Sequence, residues 1–488
     1  MNNKNIMDEA RWMGKLRLGG WTSGRGDEYD VTDKATGEKL TSLCSATPED
    51  VAKAAGAARK FQSDWFAMPY EERAAIFRKA AALVDANADE LATWIMRETG
   101  AIRPKADVEL QMASGILNMS SAMLTSPNGL VLPSNTGRMS FARRMPLGVV
   151  GVISPFNFPL ILSIRAVSPA LATGNTVVLK PDMQTAVSGG MLIARLFEEA
   201  GLPEGALQVL PGGPEVGRAL CQDPNIAMIA FTGSTAVGRQ VGELCGKHLK
   251  KVSLELGGKN TLIVLDDADL DVAASNVAFG AWLHQGQICM ATGRVLAHKK
   301  IADSLVEKLV EKANHLPVGD PMSGQVALGP IINERQVQKI QSIVDESVAA
   351  GVELKAGGSH DKLFYKPTVL YGAKPGMRAF DEEIFGPVAS VTAVADDEEA
   401  IGLANQTDYG LSAAIISRSI ARALAIGNRL NTGLLHINDQ TVNDEPHIPF
   451  GGRGASGNGT SIGGPSNWDE FTQWQWVTIK DAPPSYPF

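Results

Sequence analysis

The sequence is poor in several features that would otherwise point to a function. It has only four cysteines, Cys44, Cys221, Cys245 and Cys289, and none belongs to a Cys-x-x-Cys pair or a Cys/His cluster. This scarcity argues against a disulfide framework and against a zinc site. We therefore expect reduced thiols in a reducing compartment, and no bound metal.

Long apolar runs and basic runs are also missing. No segment approaches the roughly 20 apolar residues of a membrane span. The N-terminal stretch from Met1 to Glu9 has no apolar core long enough for a signal peptide. The net charge of −8 argues against a nucleic-acid footprint. We expect a cytoplasmic protein whose partners include neither a membrane nor a nucleic acid.

The chain does have length and apolar content. At 488 residues, of which 44% are hydrophobic, it exceeds one ordinary core, so two or three domains are expected. Apolar strand candidates alternate with helical runs from Gly148 to Leu265, and the alternation returns from Ile301 to Asn431. This pattern predicts two α/β domains with parallel sheets, whose ligands bind at the carboxyl ends of the strands.

The residues before Gly148 predict helices and then a hairpin. Thr47, followed by a proline and two acidic residues, marks a helix start. Further helices are expected from Glu71 to Asp85 and from Asp89 to Glu98. Two extended runs around the turn at 135–137 predict a hairpin, either an ordinary surface hairpin or an oligomerisation arm.

The strand-like stretch 471–480 near the C-terminus has no evident partner inside its own domain. We expect it to complete the hairpin arm of a neighbouring subunit.

Cys289 is the leading candidate for chemistry. It follows in a short loop after a helical run from Asp269 to Leu283 and precedes an apolar strand-like run at Val295. A thiol in such a place can act as a nucleophile if another group lowers its pKa or takes its proton. The plain alternative is a buried structural thiol.

Two other residues are suited to assist this thiol. Asn157 lies just after the predicted strand that ends at Ile153, where an amide donor can meet a developing oxyanion. An ordinary turn is the alternative. Glu255 stands between leucines on another predicted strand, and it is either paired structurally or a general base with a raised pKa.

Two segments suggest a nucleotide. Lys180 ends a predicted strand, where it is well placed for a ribose hydroxyl or a phosphate, unless it is simply solvated. The segment 231–238 runs from a strand into a glycine-flanked helix start that offers backbone N–H groups to a pyrophosphate. It does not match the usual G-x-G-x-x-G fingerprint.

Taken in order, these segments resemble the aldehyde dehydrogenase superfamily over nearly the whole chain. The matching features are Asn157, Lys180, GSTxxG at 233–238, ELGGK at 255–259, GQxCxxxxR at 286–294, EEIFGP at 382–387 and PFGG at 449–452. Within the superfamily, the stretches 282–290 and 436–452 most resemble bacterial benzaldehyde and vanillin dehydrogenases.

The resemblance implies an α/β fold with three parts. A Rossmann-like parallel-sheet NAD(P)-binding domain would span 1–127 and 148–256, and a second α/β domain, the catalytic domain, would span 257–465. A small β oligomerisation arm would span 128–147 and 466–488. Homodimers or homotetramers are expected.

The resemblance also implies a reaction. Cys289 would attack an aldehyde carbon to give a thiohemiacetal, with the oxyanion held by the Asn157 side chain and the Cys289 backbone N–H. Hydride transfer to a nicotinamide would leave a thioester. Water deprotonated by Glu255 would cleave that thioester to a carboxylic acid.

For the cofactor, the resemblance implies NAD. Lys180 would bind the adenosine ribose, Ser234 the pyrophosphate and Glu383 the nicotinamide ribose. Many relatives that prefer NAD carry a glutamate three residues after the lysine, and here that residue is Met183, so we expect NADP to be tolerated. The full set of expected cofactor contacts is Ile153, Pro155, Phe156, Lys180, Gly213, Gly217, Gly233, Ser234, Val237, Gly238, Leu256, Glu383 and Phe385.

The expected substrate is an aromatic, benzaldehyde-like aldehyde. Arg165 complicates this expectation, because it would either pair with a substrate carboxylate or hydroxyl, as a semialdehyde requires, or form a structural ion pair. The alternatives are an aliphatic or semialdehyde dehydrogenase, a thiol esterase and a non-catalytic binding protein. The expected pocket consists of one helix face and an apolar slot: Phe158, Leu162, Arg165, Ile288, Met290 and Phe450.

Overall fold

The computed structural model describes residues 5–488, so the first four residues of the polar leader lie outside it. The α-helices are α1 Glu9–Trp12, α2 Pro48–Ala67, α3 Tyr70–Ala86, α4 Ala88–Thr99, α5 Arg103–Met123, α6 Pro159–Ala172, α7 Leu192–Ala200, α8 Pro214–Gln222, α9 Thr235–Lys247, α10 Leu270–Trp282, α11 Ala302–His315, α12 Glu334–Ala349, α13 Arg378–Asp381, α14 Asp397–Asn405, α15 Ile420–Gly427 and α16 Ser466–Phe471.

The strands are β1 Lys15–Arg17, β2 Trp21–Ser23, β3 Glu28–Thr32, β4 Lys39–Cys44, β5 Gly129–Val131, β6 Met139–Pro146, β7 Val149–Ile153, β8 Thr176–Lys180, β9 Leu207–Val209, β10 Ile226–Thr232, β11 Lys251–Glu255, β12 Asn260–Val264, β13 Thr292–His298, β14 Glu353–Ala356, β15 His360–Asp361, β16 Phe364–Tyr365, β17 Thr368–Tyr371, β18 Val388–Val394, β19 Tyr409–Gly410, β20 Ser412–Ile416, β21 Leu434–Ile437, β22 Arg453–Gly454 and β23 Thr472–Ile479. A π-helical turn, Val187–Met191, leads into α7.

The first of two large sheets has seven strands in the order β11-β10-β7-β8-β9-β1-β2. The strands from β11 to β9 are parallel, and β1 and β2 continue the sheet antiparallel. Strand β7 is buried at every position, as expected of a sheet covered by helices on both faces. The parallel sheet predicted from the alternating pattern is confirmed.

The second large sheet also has seven strands, in the order β14-β17-β18-β13-β12-β20-β21, and only the edge strand β14 is antiparallel. The chain passes from the first sheet to the second between Glu255, the last residue of β11, and Asn260, the first residue of β12. Glu255 therefore lies where the two sheets meet. The proposed domain boundaries follow these sheets and stay a prediction.

A third sheet forms the predicted arm, with the strand order β23-β6-β5. The expectation that the C-terminal strand completes a neighbour's arm was wrong. Strand β23 pairs with β6 of its own chain, from Thr472 opposite Pro146 to Ile479 opposite Met139. The physical reason lies just before the strand, because Phe471 is fully buried and its carbonyl accepts a hydrogen bond from Asn175, which directs β23 along β6.

Sequence patterns predicted the helices before the arm with two exceptions, the short α1 and the long α5. The start of α2 is confirmed, since Thr47 and Asp50 form a reciprocal capping box. Helix α5 was not predicted because it buries polar as well as apolar side chains and so shows no clear apolar stripe. No helix within residues 5–488 combines the length and the apolarity that a membrane crossing needs.

Candidate active site

The loop that carries Cys289 begins with an unusual turn. After α10, His284, Gln285 and Gly286 have φ angles of 48°, 57° and 65° in succession. Left-handed backbone is costly for residues other than glycine, so neighbouring contacts must hold it. The Gln285 side chain supplies one of these contacts by donating to the Gly100 carbonyl at 2.9 Å.

Further hydrogen bonds fix the loop after this turn. The side-chain amide of Asn260 donates to the carbonyls of Cys289 and Ala291, at 2.8 and 2.9 Å. The side-chain oxygen of Gln287 accepts from the Ile332 backbone N–H at 3.0 Å. The thiol is therefore carried by a loop that is tied to the start of β12.

The Glu255 carboxylate is buried without a partner. The residue is 5% exposed, and neither carboxylate oxygen receives a hydrogen bond. Burial raises the pKa of Glu255 well above its ordinary value, and the nearby Arg165 charge only partly opposes this. A carboxylate with a raised pKa is a stronger base than an exposed one once it is ionised.

The Cys289 thiol has its pKa raised to about 12, first by burial and then by the carboxylates of Glu383 and Glu255. At neutral pH the sulfur therefore keeps its proton until a base removes it. A buried structural thiol would have a raised pKa as well. The neighbours that share its cavity distinguish the two interpretations.

Asn157 lies after β7 and is 3% exposed. Its side-chain nitrogen donates to the Gln287 carbonyl at 2.8 Å. Because a carboxamide nitrogen carries two hydrogens, one remains for a group in the cleft that Asn157 lines.

A single cleft joins the three predicted catalytic residues. It encloses about 650 Å³, part of it open to solvent, and Asn157, Glu255 and Cys289 all line it. The structure thus brings together an amide, a carboxylate and a thiol that are far apart in sequence. The other lining residues are Pro155, Phe156, Leu162, Thr232, Gly233, Ser234, Leu256, Gly257, Gln336, Lys339, Glu383 and Phe385.

A smaller inner cavity is lined by the same thiol and carboxylate, with Leu162 and Phe450 also in its wall. Arg165 also lines it and forms an ion pair with Asp444. The Arg165 guanidinium lies 4.9 Å from the centre of the Phe450 ring. Arg165 Nη1 and Asp444 Oδ1 are buried and have no hydrogen-bond partner.

Three predicted pocket residues line neither cavity. Phe158 precedes α6 and packs edge-on against the His284 ring, with centroids 5.4 Å apart. Ile288 and Met290, on either side of Cys289, belong to a buried apolar cluster with Phe450. These side chains support the cavity wall from behind.

The predicted adenosine-binding residues lie beyond the cleft. A Cβ atom on Gly217 would be 3.7 Å from Lys180 Cδ and 3.8 Å from Ile153 Cδ1, so these three residues are neighbours. Gly213 caps the start of α8, and its N–H donates to Glu215 Oε1 at 3.1 Å. Burial lowers the pKa of Lys180, and the carboxylates of Asp182 and Glu215 oppose this effect.

The start of α9 faces the cleft. Ser234 caps this helix, and Val237 in its first turn is 44% exposed. A Cβ on Gly238 would lie 2.3 Å from Leu256 Cδ2, so any larger residue would have to displace the Leu256 side chain. Free backbone N–H groups and the helix dipole at such an end suit a pyrophosphate, so the residues present fit a dinucleotide.

Glu383 and Phe385 form the opposite wall. Glu383 Oε1 accepts from the Gly258 N–H at 3.1 Å, and burial raises the pKa of this carboxyl. Phe385 has a φ of 56°, and its ring packs edge-on against Phe156 at 5.9 Å. This wall and the start of α9 enclose the space in front of the thiol.

Some lining residues were not predicted from the sequence. Gln336 and Lys339 of α12 line the cleft, and Gln336 donates to the carbonyls of Ile384 and Phe385 at 3.1 and 2.9 Å. They look like ordinary polar residues of an amphipathic helix, so the sequence carries no signal for them.

Within residues 5–488, no group of three or more His, Cys, Asp or Glu side chains is arranged to hold a metal ion.

Comparisons with known proteins agree with this geometry. The model of the aldehyde dehydrogenase family matches residues 21–477. A vanillin dehydrogenase of an Amycolatopsis strain is 51% identical over 99% of this chain and 100% of its own. A benzaldehyde dehydrogenase (NAD+) of Pseudomonas putida is also 51% identical, with the same coverage of both chains.

Solved structures resemble the whole chain as well. An NAD+ complex of aldehyde dehydrogenase from Bacillus cereus superposes with a TM-score of 0.93 at 33% identity, covering 97% of this chain and 98% of that one. The family match, the similarity to these relatives and the similarity to the solved structure all extend over nearly the whole chain. The chain belongs to the aldehyde dehydrogenase family.

Proposed function

We propose that this protein oxidises aromatic aldehydes to carboxylic acids with NAD as the electron acceptor. The observation that carries the proposal is the shared cleft of Cys289, Glu255 and Asn157, beside a helix start suited to a pyrophosphate. Two of the relatives named above are a vanillin dehydrogenase and a benzaldehyde dehydrogenase, which supports an aromatic substrate.

In the proposed reaction, a base takes the Cys289 proton and the sulfur bonds to the aldehyde carbon. The carbonyl electron pair moves to the oxygen, which the free Asn157 N–H stabilises. When bound, NAD supplies the acceptor for the hydride that leaves this carbon. Glu255 then takes a proton from the water that attacks the thioester, and the C–S bond breaks to release the acid and the cysteine.

For NAD itself, we assign Lys180 and the Gly213–Gly217 turn to the adenosine, Ser234 and the start of α9 to the pyrophosphate, and Glu383 with Phe385 to the nicotinamide ribose. The packing of Gly238 against Leu256 supports this assignment, because it lets the helix start approach the cleft closely. Met183 does not provide the carboxylate that many NAD-preferring relatives carry there, so some use of NADP is expected.

For the aldehyde, we propose that the ring enters the inner cavity between Leu162 and Phe450. Arg165 lines this cavity, and its unpaired Nη1 can donate to a ring hydroxyl. Unpaired buried polar atoms favour a ligand that satisfies them. Because Asp444 already neutralises Arg165, a substrate carboxylate is disfavoured, and with it the semialdehyde alternative.

A substrate panel with purified protein tests this function. Reduced-cofactor absorbance should give the highest kcat/KM for 4-hydroxybenzaldehyde and benzaldehyde, and the lowest for succinic semialdehyde and hexanal. Cys289→Ala should abolish turnover of every aldehyde while leaving NAD binding unchanged in a direct titration. Equal turnover by Cys289→Ala, or a preference for the semialdehyde, would contradict the proposal.

We also propose that the arm joins subunits into a dimer or tetramer in the cytoplasm. Its exposed apolar side chains are the support, since water-exposed apolar patches mark interaction surfaces. Light scattering at low protein concentration, compared with Trp476→Glu, tests the assembly. The exposed residues are Leu130, Val131, Met139, Trp474, Trp476 and Ile479.

A further inference from the structure

Lys105 and Glu109 form a buried ion pair that the reaction scheme above does not use. They lie one turn apart on α5, are 2% and 0% exposed, and contact each other directly. Removing two charges from water is costly, and a pair of this kind is often no more stabilising than apolar residues of the same size. The contribution of the pair to stability therefore does not explain why it is buried in the core.

The Lys105 ammonium binds the turn that carries the oxyanion donor. Its Nζ donates to the Asn157 carbonyl at 2.8 Å. The same atom lies 4.2 Å from the centre of the Phe158 ring, within cation–π range. Lys105 thus contacts Asn157 and the residue after it.

The Glu109 carboxylate binds the start of α6, which follows directly. Its Oε2 accepts from the backbone N–H groups of Leu160 and Ile161, at 3.1 and 3.2 Å. These are orphan donors in the first turn of α6, and a carboxylate also suits the positive end of the helix dipole. The pair therefore holds the main chain at the Asn157 carbonyl and in the first turn of α6 that follows it.

Holding this main chain determines where the Asn157 amide points. That side chain has one anchor of its own, the hydrogen bond to Gln287, and the remaining N–H depends on the position of the backbone. We propose that Lys105 and Glu109 are positioning residues for the oxyanion-stabilising amide of Asn157. This inference rests on the role proposed above for Asn157.

A double-mutant cycle tests the inference. Lys105→Met should lower kcat about ten- to hundredfold, because a displacement of about 1 Å in a catalytic donor costs that much. The dissociation constant of NAD, measured by titration, should stay within about twofold of the wild-type value. In an Asn157→Ala background, Lys105→Met should cause no further loss of kcat, because the donor it positions is already gone.

The matched control is Glu98, another fully buried carboxylate, which binds the N–H groups of Val187 and Ser188 but does not touch Asn157. Glu98→Gln should leave kcat unchanged. If Lys105→Met does not fold because it leaves the Glu109 carboxylate buried without its partner, the neutral double variant Lys105→Met/Glu109→Gln provides the same comparison without an isolated buried charge.

Three results would overturn the inference: a folded pair variant with wild-type kcat, an equal fold-loss with and without Asn157, or the same loss in Glu98→Gln. Failure of the proposed function looks different. In that case Asn157→Ala alone would leave kcat unchanged.

Discussion

Glu255 and Glu98 are buried carboxylates in two regions of the molecule, and their surroundings are opposite. Glu98, at the end of α4, is 0% exposed and accepts from Val187 N at 3.0 Å, from Ser188 N at 2.5 Å and from the Ser188 hydroxyl. Glu255, where the two large sheets meet, is 5% exposed and accepts from nothing. Burial raises the pKa of both groups.

The contrast separates a structural carboxylate from one kept for chemistry. A buried polar group without a partner costs about 1–3 kcal/mol, and stable proteins tolerate this mainly at functional sites. The Glu98 carboxylate accepts hydrogen bonds from the backbone N–H groups of Val187 and Ser188. Around the thiol, Glu255, Arg165 and Asp444 together leave several buried polar atoms without a hydrogen-bond partner in the protein.

Among the carboxylates, the largest expected effect comes from Glu255→Gln, which should lower kcat about 10²- to 10⁴-fold, the usual range for loss of a general base. Its unfolding free energy at pH 8 should not fall below the wild-type value, since the change removes an unpaired buried acid and breaks no hydrogen bond. Steady-state kinetics and urea denaturation measure the two quantities.

The pH profile sharpens this test. Because the pKa of Glu255 is raised, wild-type kcat should increase with pH as the carboxyl ionises, and the variant should lack that limb. If Glu255→Gln kept the wild-type kcat but had a lower unfolding free energy, Glu255 would be a structural carboxylate like Glu98.

Glu98→Gln should show the reverse pattern, with kcat retained and stability reduced by about 1–3 kcal/mol at pH 6, because one helix N–H loses its acceptor. Burial raises the pKa of Glu98 to about 7, from an unfolded value near 4.5. The folded state then binds the proton more tightly, so this group's contribution to stability is largest at low pH and is lost as pH rises from about 4.5 to about 7.

Urea denaturation across pH 5–8 checks the sign. The unfolding free energy of the wild type should include a contribution from Glu98 that decreases over this pH interval. The unfolding free energy of Glu98→Gln should depend less steeply on pH. A steeper fall in the variant would show that the Glu98 carboxyl is not held protonated by burial.

Local patterns predicted much of the fold. The strands predicted to end at Ile153 and Lys180 are β7 and β8, and Glu255 lies on β11 as predicted, because buried parallel strands are short apolar runs. The start of α2 was predicted from its cap. Helix α5 was not, because its core face includes Lys105 and Glu109, whose partners lie about 50 residues away.

The candidate site was predicted only in part. The cleft brings together Asn157, Glu255 and Cys289, which motif resemblance had named. The structural ion pair that was one alternative for Arg165 is present, but its partner Asp444 was not predicted, because 279 residues separate them and no local pattern links such charges. The same limit explains β23, whose partner β6 lies more than 300 residues earlier.

A third carboxylate, Glu215, extends the comparison to the surface and should give the smallest effect. It is exposed, accepts from the Gly213 N–H at 3.1 Å, and lies near Lys180, where the adenosine ribose is proposed to bind. There its negative charge would repel the extra phosphate of NADP. It would partly replace the carboxylate that many NAD-preferring relatives carry at the position of Met183.

Glu215→Gln should tighten NADP binding about three- to tenfold and leave NAD binding nearly unchanged. Because the effect comes from one charge that salt screens, it should be smaller in about 0.5 M salt. Titration with both cofactors measures it against Glu243→Gln, an exposed carboxylate of α9, and equal changes in both variants would mean that Glu215 has no specific part in cofactor choice.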